Sequence, residues 1–318
     1  MKIVVTGALG HIGSRLIREL PVAFPDCELV LIDDLSTQRY TSLFNLPDGA
    51  RYRFVQQDVQ QLDLAPLIAG ADALVHLAAI TDAASSFDKA EEVERVNFTA
   101  TMQVAEQCAA ADVPFLFLST TSVYGTQSDV VDEDCPESDL QPQSPYATSK
   151  LHAERALAEL GETKGLRFIT CRFGTIFGVS PGMRFHTAVN KFIWQACQGI
   201  PITVWRSALD QRRPYLDLED GVRAISFIIG RGLFDKRVYN VLTVNATVRD
   251  IVDAIRVHVP ELEVQLVDAR IMNQLSYTVR AERFREAGFT SQGDLGRAVA
   301  DTVRLLRNIA SRDVRIDV

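Results

Sequence analysis

Apolar positions in the first half of the chain fall into short β-branched runs, over 2–6 (KIVVT), 28–32 (ELVLI), 52–56 (YRFVQ), 73–77 (ALVHL), 114–119 (PFLFLS) and 167–172 (RFITCR). Runs without polar alternation predict parallel strands covered on both faces. Between them, apolar residues recur at helical spacing over 12–20, 93–110 and 146–160, which predicts helices. Strand–helix alternation up to about residue 172 implies right-handed βαβ units and a doubly wound α/β sheet. Past Gly178 the pattern changes to irregular, Arg-bearing segments (183–184, 205–206, 211–213), then a strand at 237–241 and helices at 248–257 and 295–309. We therefore expect a first domain over 1–172, receiving elements from about 214–242, and a smaller C-terminal α/β domain over 173–318.

Composition narrows the class. The 318 residues are 47% hydrophobic and 23% charged, a globular composition that excludes disorder and coiled coil. The net charge of -8 argues against broad nucleic-acid binding, which needs a basic footprint. It leaves a phosphate-bearing small ligand open. No apolar run approaches the roughly 20 residues of a membrane span, and glycines interrupt the N-terminus before a signal-peptide core forms. Cys27, Cys108, Cys135, Cys171 and Cys197 are odd in number and widely spaced, which fits a reducing cytoplasm. The five histidines form no metal-ligand pair, so no metal site is expected.

The first strand runs into Thr6-Gly7-Ala8-Leu9-Gly10-His11-Ile12-Gly13. Glycines between a strand and a helix allow a tight turn and close approach of a pyrophosphate to the helix N–H groups. Asp33 ends the second strand at the distance, about 20 residues, that ribose recognition in a Rossmann fold requires. Its carboxylate would accept from the ribose hydroxyls and repel a 2′-phosphate, favouring NAD over NADP. Asp34 offers a carboxylate one position on, and Arg15 or Arg39 would accommodate NADP.

Tyr146-Ala147-Thr148-Ser149-Lys150 sets a phenol and an ammonium on one helix face. A free tyrosine, with a pKa near ~10, is a poor base at neutral pH. A neighbouring ammonium stabilises the phenolate and lowers that value. The hydroxyl-rich Ser119-Thr120-Thr121-Ser122 follows a predicted strand, where ligands of doubly wound folds bind. Turn and cap chemistry would also account for Thr121 and Ser122.

Several motifs in order, TGALGHIG, IDDLS, QQDV at 56–59, HLAA at 76–79, RVNFTAT around Asn97, STTSVYG at 119–125, SPYATSK at 144–150 and QRRPYLDLED at 211–220, carry a resemblance over nearly the whole chain. It resembles the extended short-chain dehydrogenases/reductases of the NAD-dependent nucleotide-sugar epimerase/dehydratase family, in the manner of the UDP-glucose 4-epimerases. The resemblance implies that Gly7, Gly10, Ile12 and Gly13 line a pyrophosphate turn and Asp33 holds a ribose. It places Asp58 and Val59 beside the adenine, and Leu77, Ala78, Ala79 and Asn97 along the cofactor. Thr120, Tyr146 and Lys150 become the catalytic set, with Tyr146 as base and Lys150 also on the nicotinamide ribose. Arg213 matches the residue that contacts the nucleotide diphosphate. Thr120, Thr121, Thr175, Asn190 and Tyr277 fall at substrate positions. A nucleotide-diphosphate sugar as substrate and a homodimer are implied as well.

Departures from the family pattern narrow the chemistry. Dehydratases of the family carry Asp-Glu after the catalytic Thr, where Thr121 and Ser122 stand here; neither hydroxyl replaces a carboxylic acid. The related decarboxylases keep Glu at the position of Ser122, and the 3,5-epimerising reductases use a Cys that is missing between Cys108 and Cys135. Epimerisation at C4 through a transient 4-keto sugar is the leading expectation. Reduction of a 4-keto sugar, or a non-catalytic NAD-binding regulator, stand as alternatives. Thr175, where the family often has Asn, and Gly174 before it imply a reshaped sugar pocket. Trp194 and Trp205 read as packing and His76 as a satisfied structural histidine. Arg184, Arg206 and Arg212 suit phosphate binding or surface salt bridges equally.

Overall fold

The computed structural model describes residues 1–83, 85–125, 128–268 and 276–306. The first half holds β1 (Lys2–Thr6), α1 (His11–Ala23), β2 (Cys27–Asp33), β3 (Ala50–Gln56), α2 (Ala65–Ile68), β4 (Ala73–His76), α3 (Ala90–Glu94), α4 (Ala100–Ala110), β5 (Phe115–Thr120), β6 (Val130–Val131), α5 (Pro145–Thr163) and β7 (Phe168–Phe173). The second half adds β8 (Thr175–Phe177), α6 (Ala188–Cys197), β9 (Ile202–Trp205), β10 (Arg212–Asp217), α7 (Leu218–Arg231) and β11 (Val238–Val241). After these come β12 (Val244–Thr247), α8 (Val248–Arg256), β13 (Val264–Val267), β14 (Thr278–Val279), α9 (Glu282–Glu286) and α10 (Leu295–Leu306).

Seven strands form a parallel sheet in the order β11-β7-β5-β4-β1-β2-β3. This is a Rossmann-type doubly wound sheet whose order reverses between β1 and β4. Side chains on both faces of its inner strands are buried because helices cover both: α1 and α7 contribute Leu16, Ile17, Ile225 and Ile228 on one side, α4 and α5 contribute Val104, Ala105 and Leu157 on the other; the edge strand β3 alternates with exposed residues. Each such Leu or Ile is worth about 1.5–3 kcal/mol. A second core, with Phe192, Ile251 and Val299, joins α6, α8 and α10. β11 is the last strand of the main sheet, whereas β10 pairs with β8 and β12 in a separate three-stranded sheet. Among the described residues, no helix is long and apolar enough to cross a membrane.

Three predicted helices differ in detail. The helix expected over 12–20 runs on through Pro21, which is itself buried beside Leu16, Ile17 and Leu20; that packing outweighs the single bond a proline withholds from the preceding turn. The helix expected over 93–110 is α3 and α4 joined by a π turn, Arg95–Thr99. Such turns recur at functional sites, and this one carries Asn97. The helix expected to reach 309 is described to Leu306, and 307–309 lie outside the described residues.

Candidate active site

The sheet's reversal point opens a cavity of about 360 Å³ at the carboxyl ends of β1, β4 and β5. One wall is the glycine turn. Gly7 has φ +65°, and a Cβ there would stand 2.6 Å from the backbone nitrogen of Ala78; one on Gly13 would stand 2.5 Å from the Gly7 carbonyl oxygen. Only glycines allow the turn to fold this tightly against its neighbours. Gly10 caps α1 without a side chain and no acidic residue occupies the first turn, so the positive end of the helix faces the cavity. Asp33 braces the turn: its carboxylate accepts from Leu9 N at 2.9 Å and Leu35 N at 3.0 Å. Burial raises its pKa against those two bonds.

The same cavity is lined by Thr120, Ser122, Tyr146 and Lys150. Ser144 starts α5 by accepting from Ala147 N at 3.2 Å, with Pro145 in the first turn, which points Tyr146 and Lys150 at the end of β5. Thr120 accepts from Ser122 N at 3.1 Å and hydrogen-bonds Tyr146. Burial raises the Tyr146 phenol above its ordinary value, against lowering by the Thr120 hydrogen bond and by Arg184. Lowering by Lys150, expected from sequence, is not among these influences. Lys150 is itself pulled down to about 7 by burial, opposed by Glu154, and its Nζ lies 4.6 Å over the Phe117 ring.

The cavity wall therefore brings together Gly7, Gly10, Ile12, Gly13, Leu77, Ala79, Thr120, Tyr146, Lys150, Thr175 and Arg213 from the positions expected. Ala78 lies just behind, its N–H 3.4 Å from Thr6 Oγ1. Asp58, which accepts from Gln60 N at 2.9 Å, and the buried Val59 sit past the end of β3, outside the wall. Four further positions are occupied otherwise. Asn97 spends its side chain on the backbone of Ile80, with both bonds 2.8 Å, and so holds the 77–80 segment in place. Thr121 donates to Phe173 O at 3.3 Å, and Tyr277 donates to Thr121 O at 2.9 Å. Asn190 accepts from Gly178 N at 3.2 Å and donates to Arg184 O at 3.0 Å. All four are buried, and none is in the cavity wall.

Asn190 fastens a strap, residues 178–187, that crosses onto the glycine turn. Ser180 Oγ donates to His11 O at 2.9 Å and lies 3.0 Å from His11 Nδ1; Gly182 N donates to Ser14 Oγ at 2.9 Å. His11, Arg184 and His186 thereby line the cavity. Burial drives His11 down to about 3. It also lowers Arg184 to about 10, together with Arg39, while Arg184 hydrogen-bonds Thr81. Sequence left Arg184 open between two roles and passed over His11 and His186. For His11 the signal was its place inside the glycine motif. Arg206 instead pairs with Asp268 at the surface, and His76 satisfies both ring nitrogens on Thr6 and Thr101.

A Rossmann sheet whose glycine turn faces a Thr–Tyr–Lys wall defines a nucleotide-dependent enzyme fold. The chain belongs to the NAD dependent epimerase/dehydratase family, whose model matches residues 3–241. It is 32% identical over 238 residues to the uncharacterized UDP-glucose epimerase YtcB of Bacillus subtilis, covering 73% of each chain. It is 28% identical over 91% of its length to a trifunctional UDP-glucose 4,6-dehydratase/3,5-epimerase/reductase of Arabidopsis thaliana, of which it spans 44%. Among solved structures it is similar to MoeE5 in complex with UDP-glucose and NAD, with 27% identity, a TM-score of 0.82 and coverage of 97% and 99%. The enzyme is NAD-dependent, and the uncapped helix end and tight glycine turn fit that cofactor.

Proposed function

We propose that the chain is an NAD-dependent nucleotide-sugar 4-epimerase. The observation that carries the reading is the wall of Thr120, Tyr146 and Lys150 facing the glycine turn across one cavity, with hydroxyls and no carboxylate at 121 and 122. Gly7, Gly10, Ile12, Gly13 and Asp33 hold NAD, with Asp58 and Val59 towards the adenine and 77–79 along its length. Arg213 takes the sugar nucleotide's diphosphate, and Thr175 shapes the sugar pocket. NAD supplies hydride exchange at the sugar C4 when bound. Tyr146 removes the proton from the 4-hydroxyl and returns it after the 4-keto sugar has turned over. Thr120 orients that hydroxyl, and the Lys150 ammonium stabilises the phenolate. The unpaired cysteines support a cytoplasmic protein. The family's pairing of helices equivalent to α4 and α5 supports a homodimer, which light scattering at several concentrations tests.

The deciding experiment incubates the protein with UDP-, dTDP-, GDP- and CDP-sugars and identifies products by NMR. Isomerisation with no net change in nicotinamide absorbance is the expected result. Stoichiometric consumption of NADH or NADPH establishes a 4-keto-sugar reductase instead. Tight NAD binding without turnover of any sugar establishes a non-catalytic regulator.

A further inference from the structure

Three ionisable side chains stand four residues apart along α5: Tyr146, Lys150 and Glu154, hence on one face. The first two enter the cavity and the third does not. Glu154 is 6% exposed and its carboxylate is clamped. Arg172 reaches it through Nη2 at 2.6 Å and through Nε at 3.0 and 3.1 Å, and Ser119 Oγ also donates to it. Ser119 and Arg172 are register partners on β5 and β7. Arg172 Nη1 donates to Tyr124 OH at 2.9 Å, and that hydroxyl donates to Asn240 Oδ1 at 2.9 Å on β11. One buried network thus ties α5 to three neighbouring strands behind the reacting groups, and Ser119 is the residue before Thr120.

Stability alone is a weak reason for such a pair. Desolvating two charges often costs as much as their attraction returns, and apolar replacements of equal volume serve a core as well. Its place beside Lys150 suggests a use. The groups around Lys150 are Glu154 and, one turn the other way on α5, Tyr146, with the neutral His76 from β4 and the Phe117 ring from β5; Arg172 from β7 lies beyond Glu154. Glu154 is the anion in this set. We infer that Glu154 is a positioning residue: its carboxylate, fixed by Arg172 and Ser119, opposes the discharge of the buried Lys150 amine and so maintains the ammonium that the proposed reaction uses beside Tyr146. The ring face of Phe117 adds a second, weaker hold on the same cation. Without Glu154, burial would lower the Lys150 amine further, since desolvation disfavours the charged form. The inference rests on the assignment of Tyr146 and Lys150 to the reaction.

The test follows Lys150 directly. The chain has six lysines, so the Lys150 resonance in protein labelled at lysine ¹³Cε is assigned with Lys150→Arg, and its midpoint is read in the NAD-loaded protein. Glu154→Gln lowers that midpoint by at least about one pH unit, the size of effect an opposite charge one helical turn away in a buried site exerts. Glu154→Gln with Arg172→Met lowers it less, in the same direction, and leaves no unpaired buried charge, so it carries the test if the single variant fails to fold. Ser119→Ala removes a hydrogen bond but no charge and moves the midpoint by a few tenths at most. The basic limb of turnover on UDP-glucose shifts with the midpoint. An unmoved midpoint in the variant or variants that fold, even with activity lowered uniformly, overturns the inference. Retained turnover in Tyr146→Phe overturns the catalytic reading and leaves the titration result intact, so the two failures are distinguishable.

Discussion

Asn190→Ala separates two readings of a residue that sequence placed against the substrate. Its side chain is fully buried and makes two bonds, to Gly178 N at 3.2 Å and Arg184 O at 3.0 Å. Truncation leaves one donor and one acceptor without partners in a dry environment. Each costs about 1–3 kcal/mol, so a combined loss of about 2–4 kcal/mol follows once some relief by water is allowed. With a urea slope of about 3 kcal/mol/M for a chain of this size, the midpoint falls by about 1 M. The same strap lies on the glycine turn through Ser180 and Gly182, so NAD affinity falls as well. Urea unfolding followed by circular dichroism, with NAD titration by calorimetry, measures both. An unchanged midpoint together with a raised KM for the nucleotide sugar would refute the reasoning and return Asn190 to the substrate.

Tyr146→Phe removes the base and lowers kcat by about 10²–10⁴-fold with NAD affinity retained, as NMR turnover and calorimetry check. Gly13→Ala forces a methyl to within 2.5 Å of the Gly7 carbonyl and 2.6 Å of the Ala8 carbonyl; backbone cannot yield as a side chain can, so stability drops by about 1–3 kcal/mol and NAD binding weakens at least about tenfold. Acid stability depends on His11 and His76, each driven from 6.5 to about 3 by burial. The folded value lies below the unfolded one, so their contribution is complete above pH 6.5 and is lost as pH falls towards 3. The slope is up to about 1.4 kcal/mol per pH unit for each histidine, and His11→Phe makes urea midpoints between pH 6 and 4 fall less steeply.

The sheet was legible because parallel strands buried on both faces must be apolar throughout. The six runs are β1 to β5 and β7, displaced by no more than two residues at an end; all but β3, an edge strand whose residues alternate with exposed ones, are buried along most of their length. The run at 237–241 was legible as a strand for the same reason, and as β11 it closes the sheet. The π turn at Arg95–Thr99 was not legible. It inserts one residue into the helical count without changing composition, and what selects it is tertiary: Asn97 must reach Ile80. That α1 runs on through Pro21 was not legible for a related reason, since the burial of Pro21 on the same helix as Leu16 and Ile17 belongs to the fold and not to local preference.

The site divides along the same line. Gly7, Gly13, Tyr146 and Lys150, which line the cavity, sit in short motifs because a turn or a helix face sets their spacing, and they were readable for that reason. Residues that hold other segments in place sit wherever the fold needs a polar partner. Asn97, Asn190 and Thr121 look like ligand contacts in a motif, yet each ends on a backbone group of another segment. Glu154 shows the converse: it continues the Tyr146–Lys150 face by one turn, so its spacing was visible, but its meaning depends on Arg172 arriving from β7. A polar residue near a family motif is therefore best assigned by asking which buried backbone groups it satisfies. After that accounting, Thr120, Tyr146 and Lys150, in a wall shared with Arg184 and His186, are the side chains on which the proposed chemistry is placed.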